Sequence, residues 1–363
     1  ISMGYAQIAG LPAVYGLYGS VLPILFFAVF STSPQFIFGV DAAPAALVGS
    51  ALLSMGIESG SEEAMRAVPV LTLFVALWLF AFSYMKAGKL VNYISAPVMG
   101  GFITGICTTI ILMQIPKLFG GSAGVGEFFE LAVHIGESLE KLNLPSLLLG
   151  LFALFILLLS KKLIPKFPMA VLLMAAGACM TKFLSLKKWG VVTLSAVDPG
   201  LMPFALPDLS VIPVREAVTI SLSVAIVIMA ETLLAENSFA QKNGYRINDN
   251  QEIFAFAMGN LIAALTGCCP INGSVSRTAM GEQYQARTQL TGIVAGISML
   301  VLLLGGTGFI GYLPVPILTA IVISALLGAT EFDLAIRLWK ISRTECMIFV
   351  GAFIGVLFLG TIN

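Results

Sequence analysis

The sequence predicts an all-α polytopic membrane fold with an inverted internal repeat, in which two short half-helices, each preceded by an extended segment, meet at the centre. Three observations carry this expectation. Of 363 residues 58% are hydrophobic and only 10% charged, with a mean hydropathy of +0.98; soluble domains carry about 25% charged residues, which excludes a soluble globular chain. Apolar runs of spanning length recur from one end to the other. One polar segment broken by Gly and Pro interrupts them in each half, the pattern of a repeat inverted across the membrane plane.

Taken in order, a span needs roughly 20 apolar residues to cross about 30 Å of hydrocarbon. Segments 13–31, 67–85, 97–115, 144–160, 168–186, 214–235, 250–267, 288–309, 313–329 and 345–361 meet this wholly or nearly. The opening fragment 1–9 has no basic leader region and no cleavage site, and reads as a first span truncated at its start. Two shorter, more polar segments, 41–56 and 275–286, bring the total to about thirteen. With the loop after 67–85 in the cytoplasm, Lys86, Lys161, Lys162, Arg287 and the run RLWKISR (337–343) fall inside, in accord with the positive-inside rule. That run reads as an amphipathic connector. Loops 117–143 and 187–213 read as ordinary connections, with DPGLMPFALPDLS (198–210) extended at the outer surface.

Zero net charge leaves no basic footprint for nucleic acid. The five cysteines lack metal-type spacing and read as packing residues. No metal site is expected, and no HExxH or GxSxG sits at a span, so an enzyme is not.

In FGVDAAPAALVGSALLSMG (38–56), Phe-Gly-Val runs extended, Asp41 offers an N-cap, and Pro44 falls in the first helical turn, where its missing N–H does no harm. In PINGSVSRTAMGEQY (270–284), Pro270 and Gly273 bar a regular helix and Ser274 or Ser276 can cap one from about residue 276. From Ser276 to Arg287 such a helix is about 16 Å long, half the hydrocarbon thickness. Each half-helix leaves unpaired N–H groups near the midplane, where its dipole adds roughly half a positive charge. Two such N-termini facing each other form an anion site from backbone alone. Arg277 adds a charge that is expensive inside a membrane. It attracts the anion, alone or alongside a structural pairing, against the alternatives that it only bridges to Asp41 or Glu231 or merely flanks a short loop, and the hydroxyls of Ser274, Ser276 and Thr278 either donate to an oxyanion or cap a helix.

GYAQIAGLPAVYGLYGS (4–20), NGYRINDNQEIFAFAMGNLIAALTG (243–267) and GSVSRTAMGEQYQARTQLTGIV (273–294) together resemble three ordered motifs of the sulfate-permease (SulP) anion transporters, the family of the solute carrier 26 proteins. The resemblance covers nearly the whole chain. It implies a seven-plus-seven inverted repeat, the first about 1–186 and the second about 214–363, split into a core and a gate domain that move in an elevator-like cycle, usually in a homodimer. It implies an anion site between Asp41, Ala42 and Ala43 at one half-helix and Val275, Ser276 and Arg277 at the other, with Tyr5 lining the same cavity. Sulfate, bicarbonate, chloride and dicarboxylates are all carried within the family.

The chain also departs from the pattern. Gly39, Val40 and Asp41 stand where many members have Gly-Pro and an apolar residue, and a carboxylate there weakens anion binding unless it is protonated or paired with Arg277. Ile1 occupies a position that is Gln in the family. The fourteenth helix and the cytoplasmic STAS domain do not follow Asn363, so the chain reads as a transporter core lacking its ends. Glu231, within IVIMAETLLAENSFA (226–240), is the candidate for a coupling proton or for helping to bind Na⁺, against the alternative of a structural carboxylate; Glu236 reads as solvated. The expectation is thus a secondary anion transporter with no cofactor beyond a coupling ion, surrounded by lipid in a cell membrane, on the resemblance a bacterial inner membrane. A nucleobase permease of the same fold and an anion channel are the alternatives.

Overall fold

The computed structural model describes residues 2–88, 95–122, 124, 128–164, 167–194, 200–283 and 285–359. The first half runs α1 (Ser2–Ile8), α2 (Ala13–Tyr18), α3 (Leu22–Phe30), β1 (Phe38–Gly39), α4 (Ala42–Ser54), α5 (Glu62–Tyr84), α6 (Ala96–Leu118), α7 (Phe128–Glu140), α8 (Leu144–Leu163) and α9 (Met169–Leu184). The second runs α10 (Val214–Asn243), α11 (Asp249–Leu265), β2 (Asn272–Gly273), α12 (Val275–Gln283), α13 (Leu290–Gly305), α14 (Val315–Ala329), α15 (Phe332–Ile341) and α16 (Arg343–Leu359). Among the described residues six stretches are long and apolar enough to cross a bilayer, and α4, α9 and α13 are shorter apolar helices.

Three elements differ from the sequence reading. The run 13–31 is two helices, α2 and α3. Pro23 has no N–H with which to continue a helix from α2, and the turn presses so closely on the chain behind it that a Cβ on Gly19 would lie 2.4 Å from Cys268 Sγ. The loop 117–143 contains α7, whose Phe128 and Phe129 pack on Phe358 of α16 while Leu131 is buried. Its three glutamates (Glu130, Glu137, Glu140) dilute the apolar signal. Finally, α10 continues well past residue 235 and stops only at Gly244, which takes the left-handed conformation (φ 74°) of a helix C-cap. The connector read at 337–343 is the end of α15 and the start of α16, with Arg343 over the Trp339 ring.

The helices pack in two groups. In one, α11 lies against α5 and α3, and α10 against α5. The stacked rings of Phe27, Phe38 and Phe256 tie β1 into that core, with centroids 4.6 and 5.3 Å apart. In the other, α16 and α14 lie against α6, and α8 against α14. The half-helices touch both groups, α4 reaching α6 and α12 reaching α14. Dry membrane interiors offer little hydrophobic drive between helices, so close approach decides such contacts. At Gly49 of α4, where a Cβ would sit 2.2 Å from Ile8 O, α1 comes close enough to bring Tyr5 to the centre.

Candidate functional site

The two extended approaches pair with each other. β1 and β2 form an antiparallel ladder, Phe38 opposite Gly273 and Gly39 opposite Asn272. Ser274 N–H extends it by donating to Ile37 O at 2.8 Å, and Ile37 N–H donates to the Thr278 hydroxyl at 3.0 Å. The Thr278 hydroxyl in turn donates to Ser274 O, so it is occupied by backbone and is not an oxyanion donor. Asn260 of α11 latches the approach from behind, accepting from Ile271 N–H at 2.9 Å and donating to Ile271 O at 3.1 Å. Non-helical backbone is tolerated at this depth because protein satisfies it.

The ladder sets both half-helices with their N-termini at one place. Asp41 caps α4, its Oδ1 accepting from Ala42 N–H at 2.8 Å. From the first turn of α12 the Arg277 guanidinium reaches across: Nη2 donates to Val40 O at 2.7 Å and lies 3.6 Å from Asp41 Oδ2. Both side chains are 18% exposed, and Arg277 Nε is buried without a partner. The close fit over β1 depends on Gly39, where a Cβ would stand 3.0 Å from Arg277 Nη1. Arg277 thus makes the pairing with Asp41 that the sequence posed, and its Nε keeps a donor unused.

Glu231 enters from α10. Asn272, fully buried, donates from Nδ2 to Glu231 Oε2 at 2.7 Å, while its Oδ1 accepts from the Thr232 hydroxyl. Thr232 also accepts from Gly273 N–H at 3.1 Å. Tyr5 is 3% exposed on α1, and the charges of Asp41, Arg277 and Glu231 all bear on it, so these four expected site residues share one neighbourhood. Ala42 and Ala43 are buried at the start of α4. Val275, by contrast, is 44% exposed, so the N-terminus of α12 is not sealed by protein on that side. Ser276 begins the helix beside it, but its side chain lies outside the described residues.

One expectation is corrected. Glu236 is fully buried, not solvated, because α10 runs on past it and α11 folds back alongside. Asn260 and Thr232 went unread, and Asn272, noticed only as part of the polar segment 270–284, was given no role; the signal available was an amide or hydroxyl inside otherwise apolar or small-residue stretches, where polar groups are retained only with partners.

A protein-family model described as the sulfate permease family matches residues 1–352. A probable sulfate transporter of Mycobacterium tuberculosis is 28% identical over 359 residues, covering 99% of this chain and 64% of the relative. Sulfate transporter 2.1 of Arabidopsis thaliana is 29% identical over 371 residues, covering 98% and 55%. The chain therefore spans less than two thirds of these relatives' length. Among solved structures, the murine solute carrier 26 family member A9 anion transporter in the inward-facing state superposes with a TM-score of 0.89 at 21% identity, over 99% of this chain and 63% of that one. The transmembrane domain of a cyanobacterium bicarbonate transporter, BicA, superposes with a TM-score of 0.89 at 19% identity, over 99% and 92%. Similarity at these identities carries the inverted-repeat fold.

Proposed function

The chain belongs to the sulfate permease family, and from that membership we propose that it is the membrane-spanning part of a secondary transporter of small inorganic or organic anions. The observation that supports this most is Arg277, held at the N-terminus of one half-helix directly over the N-terminus of the other. Backbone donors, two converging helix dipoles and an arginine with an unused N–H suit an oxyanion, and a neutral base would need none of them. The relatives named sulfate transporters make sulfate the first anion to test, with bicarbonate, chloride and dicarboxylates as competitors.

In this reading Asp41 tunes the site. It occupies the N-terminus of α4 and pairs with Arg277, so anion entry requires Asp41 to swing away from the guanidinium. The ladder and the Asn260 latch bind both half-helices to the α3–α5–α10–α11 group, which moves as one body along the α6–α8–α14–α16 group in an elevator-like cycle. Glu231 carries the coupling H⁺ or helps to bind Na⁺, and Asn272 connects it to the anion site. Residues 1–186 and 214–363 form the two repeats, and the working unit is a homodimer in lipid.

The test is uptake into proteoliposomes with an anion competition panel and independently varied pH and Na⁺ gradients. Saturable, competable uptake is expected, lost in Arg277→Ala. Ohmic conductance instead would make the protein a channel, and uptake competed by nucleobases but not by anions would overturn the substrate class. Glu231→Gln should exchange anions but lose the dependence on the driving gradient; unchanged dependence removes Glu231 from coupling.

A further inference from the structure

A further acid on α10 lies outside everything assigned above. Glu236 is five residues beyond Glu231, about 7.5 Å further along the helix axis. It is 0% exposed, and neither carboxyl oxygen has a hydrogen-bond partner. The group it lies against is the carboxyl of Glu252 on α11, also fully buried. Glu252 is the opposite case. Its Oε1 accepts from Thr32 N–H, from the Thr32 hydroxyl and from Ser33 N–H at 3.1 Å, and its Oε2 accepts from the Ser31 hydroxyl at 2.8 Å. Four donors converging on one carboxyl suit the ionised, acceptor-only form. They also hold the segment 31–33 that leads to β1.

Two buried carboxylates side by side, one of them with no donor at all, form an arrangement that one proton resolves. We propose that Glu236 and Glu252 are a buried proton-binding pair: the proton resides on Glu236, whose O–H is directed at the ionised Glu252. The other acid that bears on Glu236 is Asp249, again from α11; Tyr245, in the α10–α11 connector, faces the pair with its hydroxyl 3.4 Å from Ser33 Oγ. Among the described residues no charged group of α4, α5 or β2, the other elements packed on α10, bears on Glu236. A metal cation fits less well: the oxygen-rich side of the pair is already filled by four donors, and among the described residues no group of three potential metal-binding side chains occurs. The pair gives α10 a second proton site between Glu231 and the end where it turns into α11.

The test needs no transport, so its failure is distinct from failure of the proposed function. Infrared spectra of the purified protein should show at neutral pH the C=O stretch of a protonated carboxyl that is missing from Glu236→Gln and retained in Glu231→Gln. In Glu236→Asp, a second variant that keeps the acid, the band should move instead of vanishing. Its amplitude in the native protein should fall reversibly as the pH is raised. Spectra of Glu236→Gln and the native protein that match in this region would overturn the proposal. So would a Na⁺-dependent thermal stability of the native protein that Glu236→Gln abolishes, because the occupant would then be a metal cation.

Discussion

Asn272 holds Glu231 at 2.7 Å through its Nδ2 and the Thr232 hydroxyl through its Oδ1, so a single buried amide joins the strand before one half-helix to the acid on α10. Truncation to Asn272→Ala leaves Glu231 and Thr232 each short of a partner, at a cost of about 1–3 kcal/mol for an unsatisfied buried group. Asn272→Asp puts acid against acid and should be worse. Thermal unfolding in detergent checks the order: native above Ala, Ala above Asp.

Arg277 reaches both Val40 O and Asp41 through a single nitrogen, Nη2, on a planar guanidinium, whereas a lysine at this position offers a flexible point charge. Arg277→Ala should weaken anion binding roughly ten- to a hundredfold, the range for a hydrogen bond to a charged group, with the fold retained. Arg277→Lys should fall between. Isothermal titration with sulfate, the first anion to test, measures both.

Gly39 is required by approach. A methyl there stands 3.0 Å from Arg277 Nη1 and displaces the guanidinium from β1. Gly39→Ala should therefore lose anion affinity by on the order of tenfold, in keeping with about 1–3 kcal/mol for overpacking. The accompanying fall in thermal stability should be smaller than that of Asn272→Asp.

Asp208, in the extended segment before α10, pairs with Arg66 at 2.5 Å on the surface. The Ser210 hydroxyl, then the Ser210 N–H and the Arg66 guanidinium, hold its carboxyl below the usual carboxylate range. A depressed folded value means the contact is complete above the unfolded pKa of about 3.9 and is lost as the pH falls through the folded one. Proteolysis within 200–213 should thus be flat from pH 5 to 8 (roughly neutral conditions) and rise only in stronger acid, and Arg66→Ala should narrow that acid-stable range.

The half-helices were legible because Pro, Gly and Asp punctuate an otherwise continuous apolar sequence: Asp41 and Pro44 mark the start of α4 as Gly273 and Ser274 mark that of α12. What joins them was not. The ladder between residues 38–39 and 272–273, the Asn260 latch and the Asn272 bridge are contacts between segments far apart in the chain, and local patterning carries no trace of such pairings. Glu236 was misread for a related reason. Its distance from the apolar centre of the run suggested water, but whether a helix end is wet depends on what folds over it, here α11 and the segment 31–33.

The contact between Arg277 and Val40 spans 237 residues. At about 5–20 residues per second of synthesis, roughly 10 to 50 s separate the emergence of the first half-helix from that of its counterpart. Through that interval α4 sits with its approach strand unpaired and its capping acid without an arginine. The nascent chain must shelter this half-built centre, so ribosome-stalled intermediates ending before residue 270 should be the ones recognised by membrane quality control.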